Sequence, residues 1–394
     1  WMLNAFLKAE NIKVVDDHTV SMTLDRAYGP FISFVPWWYI MNPKTVMANE
    51  VDGDMGQKWM IENEAGSGPY KLKRNQPGTL LELERVQDYW KGHKGKLGGI
   101  LYRIIRESSA QRAALVKGEA DIVTGLTPDE FEQVAKMKGM VTSTQPALTA
   151  FGLKYNCKAE YTSDINVRKA IAYAYDYDAF VKIFNGRATL QTSPFADDIK
   201  GKIDVPGMPR KDMAKAKAFL AKTKWPNGGF EIEYVYVQGF EVERQMGLVL
   251  IDALRPLNIT VNMVPLTWSN MVARGSKVET SPQLMAIFAT PVSTDPDAVA
   301  IQYHPSSFGR YYGSHYYDNK EVHALIEKAR FLSTWEERKP LYEEIQKRLV
   351  ADQPEIFGMM RKRMIVYRDW VKGFEYTPVR MTSELDLYPL YIGK

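Results

Sequence analysis

The chain has 394 residues, 45% of them hydrophobic and 25% charged, with 51 basic against 47 acidic side chains for a formal net charge of +4. That apolar content is enough for two ordinary cores and argues against disorder. The small basic surplus, with no basic run, excludes an electrostatic nucleic-acid binder. The longest apolar stretches, such as Phe31–Val35, fall far short of the roughly 18 residues needed to cross a bilayer.

Cys157 is the only cysteine, so an intramolecular disulfide and a multi-cysteine metal site are both impossible. It reads as a small buried hydrophobe. Trp1-Met2-Leu3-Asn4 reads as the middle of a helix, and no charged segment followed by an apolar one marks a signal peptide. A chain that lacks its natural N-terminus is the expectation. Thr19–Leu24 alternates with the period of two expected of a half-buried strand. Gly66-Ser67-Gly68-Pro69 is a turn cluster, Tyr70-Lys71-Leu72 starts a strand, and Leu80–Glu84 is its hairpin partner across Pro77-Gly78. Ser108 is read as the cap of a helix ending at Lys117 before Gly118, Asp121–Val123 as a buried strand, and Pro128 as the opening of another helix.

Near residue 147 the pattern changes to long helices alternating with strands. Strands are predicted at 150–155, 231–237, 260–264 and 284–288. Helices are predicted from Asp164 onward, at 211–224, at 243–254, and as an amphipathic pair at 321–332 and 335–350. The segment from Met364 to Leu390 returns to short strands and turns. Strand–helix alternation of this kind predicts α/β lobes with largely parallel sheets.

Several blocks carry a resemblance. They are Gly66–Leu72, Leu83-Glu84-Arg85 followed by Asp88-Tyr89-Trp90, Ala113–Asp121, Asp164 with Val167–Ala174, and the pair Asn319–Val322 and Arg338–Leu349. In this order they resemble the peptide, dipeptide, nickel and opine solute-binding proteins of bacterial importers, extracellular solute-binding family 5. The resemblance implies an α/β, two-lobe periplasmic-binding-protein fold of the large type II-like cluster, with the ligand cleft between lobes. It assigns 1–148 to the remainder of the first lobe, 149–360 to the second, and 361–394 to a C-terminal return to the first. It implies a monomer, outside the cytoplasm, either periplasmic or a cell-surface lipoprotein. The partners are then a small-molecule or peptide ligand and an ABC permease, with no nucleic acid, no cofactor and no metal.

The same resemblance places the candidate ligand-binding residues. Trp268 follows a strand, where an indole offers a stacking face and one N–H donor; a core tryptophan is the alternative. The loop from Phe288 through Ala289, Thr290 and Val292 to Asp295 lies where a relative contacts its ligand. The acid that would hold a peptide's amino group is replaced by Val292, with Ala289 standing for a tryptophan and Ala286 for an arginine. Asp295 either substitutes for that acid or is a turn residue before Pro296. Arg361 could hold a carboxylate or phosphate in bidentate fashion or be a surface charge. Thr124 and Gly125 fall on another pocket loop, and Ala150 opens the strand beside it. The pair Trp37-Trp38 and the tyrosines Tyr311, Tyr312, Tyr316 and Tyr317 read equally as core or rim. Short or modified peptides, opines, sugars and metal chelates all remain open as ligands, as does a chemoreceptor or chaperone-like role. A hydrolase is disfavoured. The sequence has no Gly-x-Ser-x-Gly elbow, and His18, His93, His304, His315 and His323 form no His-Glu-x-x-His pair.

Overall fold

The computed structural model describes residues 7–93, 95, 97–376 and 385–393. The helix expected around Trp1–Asn4 lies outside them. The described residues form two compact units. One comprises the residues up to Val35 together with Pro146–Lys362; the other comprises Pro36–Gln145 and the residues from Arg363 on. The first stretch thus joins the unit opposite to the one expected from sequence. The reason is local. The Tyr28 hydroxyl donates to Asp297 Oδ2 at 2.9 Å, Gly29 N–H donates to the Arg330 carbonyl at 3.0 Å, and the Arg26 guanidinium lies 3.2 Å over the Phe331 ring.

The larger unit is built on a sheet in which Ile259–Leu266, Phe230–Val237 and Leu284–Ala289 run parallel. Leu284–Ala289 then pairs antiparallel with the end of Met140–Tyr155, and Glu355–Arg368 takes Ala188–Leu190 antiparallel at its flank. The sheet is therefore mixed rather than largely parallel. Strand–helix–strand crossovers generate its parallel part, and two long strands of the chain's crossings supply the rest. Met140–Tyr155 runs on through Pro146, so the break read near residue 147 is a passage between units inside one strand.

One face of this sheet buries Phe151, Tyr234, Ala286 and Leu284 against the helices Ile165–Ala174, Tyr177–Lys182, Met213–Leu220 and Glu241–Leu254. Asp164 caps the first of these by accepting from Asn166 N–H at 2.8 Å, as its sequence position requires. The other face buries Val235, Val237, Met285 and Ile287 with Met271 of the helix Trp268–Gly275. Two glycines permit close strand approach. A Cβ at Gly152 would stand 2.9 Å from the Ile356 carbonyl oxygen, and one at Gly358 would stand 2.6 Å from that of Phe151. Cys157 packs against this core. Burial pushes its thiol up to about 11, so it stays protonated at neutral pH.

The smaller unit contains the three-stranded antiparallel sheet Tyr70–Gln76, Leu80–Arg85 and Gly99–Arg103. A second core there gathers Leu115, Val123, Leu126, Phe131 and Val134 with Met364 and Val366. Val366 and Tyr367 pair antiparallel with Val123 and Ile122. Glu107, not Ser108, is the N-cap residue of the helix Ser108–Lys117, which ends at Gly118 with φ 80°. Thr127 and Glu130 form a reciprocal capping box ahead of Pro128. The hairpin Ile12–Asp16 with Thr19–Met22 belongs to the larger unit but is exposed along both strands, not half-buried; Val14 is 79% exposed.

Candidate functional site

The parallel strands Phe230–Val237, Ile259–Leu266 and Leu284–Ala289 end at one edge of the sheet, where open α/β sheets present their loops to ligands. Three segments follow: Gln238–Phe240, Thr267-Trp268, and Thr290–Asp295. The sheet sorts the candidate residues onto its two faces.

On one face, Phe288 stands edge-to-face on Phe151 with centroids 4.0 Å apart. Arg361 lays its guanidinium 4.7 Å over the Phe288 ring. A guanidinium held at this distance over an aromatic ring gains a cation–π attraction. Glu243, which the sequence reading did not single out, is 2% exposed on the same side. Its Oε2 accepts from Val237 N–H at 2.7 Å, which ties the first turn of the helix Glu241–Leu254 to the end of its preceding strand. Burial pushes the Glu243 carboxyl up to about 8, against the opposing pull of that N–H and of Arg361. A first-turn acid is common in sequences, and nothing in the spacing marks this one as buried.

On the other face, Trp268 is the first residue of its helix. Thr267 caps that helix by accepting from Asn270 N–H at 3.3 Å. The indole is 48% exposed and meets Tyr311 edge-on at 5.1 Å. Trp268 is thus a surface aromatic rather than a core one, and Tyr311 supports it. Between the faces, Ala150 and Ala289 are register partners, and the hydroxyls of Thr149 and Thr290 lie 2.8 Å apart. Val292 is half-buried in the loop.

Asp295 is placed differently. Its two oxygens accept from Arg338 Nη2 at 2.7 Å and Nη1 at 3.0 Å, and Oδ1 also accepts from Asp297 N–H at 2.9 Å. Both Asp295 and Arg338 are buried. This carboxylate is engaged in holding the loop to the helix Trp335–Asp352. Asp297 beside it is buried too, with Arg330 Nε at 3.0 Å and the Tyr28 hydroxyl as donor; burial raises its carboxyl to about 6.

Thr124 and Gly125 belong to the smaller unit. Gly125 N–H donates to Gln111 Oε1 at 3.0 Å, and Gln111 Nε2 donates to the Ile105 carbonyl at 2.7 Å. A Cβ at Gly125 would lie 2.5 Å from Gln111 Nε2, so a side chain there would displace the Gln111 amide. Among the described residues, no group of three or more His, Cys, Asp or Glu side chains could hold a metal ion. No helix among them is long and apolar enough to cross a membrane.

Comparison with known proteins agrees with this architecture. The chain is 25% identical over 362 residues to an oligopeptide-binding protein of Bacillus subtilis, an alignment covering 88% of the chain and 65% of that relative. It is 24% identical to a dipeptide-binding protein of Escherichia coli, covering 93% of the chain and 69% of the relative. The chain thus spans about two thirds of the length of these relatives. Among solved structures, a periplasmic binding protein of Helicobacter pylori in complex with a peptide superposes with a TM-score of 0.87 at 24% identity, over 99% of this chain and 75% of that one. An Agrobacterium tumefaciens protein in complex with agropinic acid gives 0.85 at 23% identity, over 100% of this chain and 79% of that one. The fold is that of the two-lobe binding proteins. Residues 2–312 match the middle region that defines the bacterial extracellular solute-binding proteins of family 5, and the chain belongs to that family.

Proposed function

We propose that this chain is the ligand-capturing part of an extracytoplasmic substrate-binding protein that serves an ABC importer. Its ligand is a short or modified peptide, an opine or a similar small molecule, which it binds and releases without chemical change. Family membership across residues 2–312 carries this reading. The named ligands of its relatives, oligopeptides and dipeptides among them, point to the ligand class. The exposed Trp268 and the Arg361–Phe288 stack at the C-terminal ends of the parallel strands supply recognition groups of suitable chemistry. A ligand favours a closed arrangement of the two lobes only through tighter binding to that arrangement. The membrane partner is the importer's permease, and the working form is a monomer.

Calorimetry with a panel of dipeptides, tripeptides and opines tests the proposal, with mass spectrometry of the recovered ligand. Binding without conversion, accompanied by a more compact scattering profile, is the expected result. Conversion of any probe, or silence from the whole panel, overturns it. Trp268→Ala is expected to weaken the bound probe by about 1–3 kcal/mol, the scale of a truncated aromatic anchor. An unchanged affinity removes the indole from the site.

A second ligand class is favoured by one feature. Asp295 is clamped by Arg338, and Val292 stands where the amine-binding acid is expected from the resemblance. Ligands without a free primary amino group, opines and blocked peptides among them, therefore fit the Thr290–Asp295 loop at least as well as free linear peptides.

A further inference from the structure

The basic surplus of the chain is not spread evenly. The segment Tyr70–Arg103, which contains the three-stranded antiparallel sheet of the smaller unit, holds eight basic and three acidic side chains. Its surplus of five exceeds the +4 of the whole chain, so the remaining residues together carry a net charge of −1. The cations are dispersed along the segment, which is why no basic run marks it. Folding gathers several of them on one face.

Side chains alternate across a pleated strand, and the register of the sheet sorts them. Lys71 stands opposite Glu84, Arg74 opposite Glu82, and Arg103 opposite Leu80. The irregularity between Leu72 and Arg74 brings Lys73 to the same side, where its Nζ lies 2.7 Å from Glu82 Oε1. Arg74 Nη2 lies 3.1 Å from Glu82 Oε2, and Lys71 Nζ lies 2.9 Å from Glu84 Oε1. Two carboxylates therefore answer three cations, and Arg103 has no ion-pair partner among the described residues. The face keeps two uncompensated positive charges. Lys71, Lys73, Arg74 and Arg103 are all exposed, as is Leu101 opposite Glu82. The other face, with Leu72, Leu83, Ile100 and Tyr102, is half-buried. Alternation in an antiparallel sheet explains why one face is polar; it does not explain the sign of the charge. Trp90 flanks the sheet at the end where Tyr70–Gln76 begins. Its indole Nε1 donates to the Ser67 carbonyl at 3.3 Å, yet the side chain is 75% exposed, and the exposed Lys91 follows it.

We propose that this face of the smaller unit is a docking surface for a lipid bilayer bearing anionic phosphate headgroups. Five of the eight basic residues are lysines. These are compact charges on flexible stems that suit a diffuse anionic layer, whereas recognition of fixed carboxylates on a folded partner favours the planar fork of arginine. An exposed tryptophan beside cations matches a membrane interface, where the indole sits at headgroup level, and polybasic surfaces are drawn to anionic leaflets. This goes beyond ligand capture and does not depend on which ligand is carried. It would hold the protein against the bilayer in which an importer lies.

Co-sedimentation of the full chain with vesicles tests the proposal, comparing phosphatidylcholine alone with an equal mixture of phosphatidylcholine and phosphatidylglycerol. Partitioning onto the anionic vesicles is expected to be at least about tenfold stronger at low salt. It should fall severalfold between about 0.01 and 0.15 M ionic strength, as the Debye length shortens from about 30 to 8 Å. Lys71→Gln, Lys73→Gln, Arg74→Gln and Arg103→Gln together are expected to abolish the preference, whereas Lys71→Arg with Lys73→Arg keeps the charges and should retain it. Because the fourfold variant leaves Glu82 and Glu84 without cations, Arg103→Gln alone gives a second reading. It breaks no ion pair among the described residues, and is expected to weaken anionic partitioning about fivefold with an unchanged melting temperature. Equal partitioning onto the two vesicle types, no partitioning at all, or undiminished partitioning of the fourfold variant overturns the proposal. So does retention on immobilised polyglutamate by a chain that ignores the vesicles, which assigns the face to an acidic protein instead.

Discussion

At the scale of single residues, three buried acids of the larger unit differ in how their charge is met, and two of them make separate predictions. Asp295 is fully engaged by Arg338 through two charge-assisted bonds. Removing one partner of such a buried pair leaves an uncompensated charge, so Asp295→Ala should lower stability by about 3–5 kcal/mol in urea unfolding. A stable Asp295→Ala protein would show that the clamp is dispensable. Glu243 behaves in the opposite sense, since its folded carboxyl is raised from 4.5 to about 8. The folded state therefore holds a proton that the unfolded chain releases. The stability this provides is complete below about pH 4.5 and is lost progressively as pH rises towards 8. Glu243→Gln should flatten the fall of melting temperature across that window, and an unaltered slope would assign the pH dependence elsewhere. Asp297 repeats the sign over a shorter span, from 3.8 to about 6. Of these three acids only Asp295 was legible as a candidate in the sequence, and its role could not be. Asp before Pro looks the same whether its carboxylate faces a ligand or an arginine 43 residues further along the chain.

At the scale of elements, the helices and strands of the larger unit follow their local signals closely. Asp164, Asp212 and Thr334 cap their helices through side-chain oxygens, and the parallel strands carry continuous apolar runs such as Tyr234–Val237. What the sequence concealed was direction and register. Only residues 150–155 of Met140–Tyr155 and the part of Glu355–Arg368 from Met364 read as strand, because each changes environment along its length, buried at one point and polar at another. Periodicity sees only local burial and breaks such strands at the change. The candidate site was legible as loops after strands, but not the side of the sheet on which each residue falls. That depends on pairings such as Phe288 with Phe151, which are distant in sequence. The capping box in the smaller unit was also missed, although its Thr-x-x-Glu spacing is local. Thr127→Ala should cost about 1 kcal/mol in thermal unfolding, and Ser is expected to recover most of it.

At the scale of the whole molecule, exposed apolar side chains mark surfaces with little cover among the described residues. Val14 and Ile40 are 79% and 83% exposed, and Tyr39 and Trp90 are comparably open. A two-stranded ribbon exposed on both faces is marginal on its own, and apolar patches of this kind promote association. Lys at both Val14 and Val20 should reduce dye binding by the native chain and any self-association in sedimentation, with little change in thermal stability. The division into two units carries a further consequence for anyone cutting the gene. Each unit is assembled from two stretches of sequence separated by the other, so no single stop codon releases either one whole. Ending after Gln145 discards Pro146–Lys362 from the larger unit, and ending after Lys362 strips Ile122 and Val123 of their partners Tyr367 and Val366. An independent copy of the smaller unit would require Gln145 to be spliced directly to Arg363.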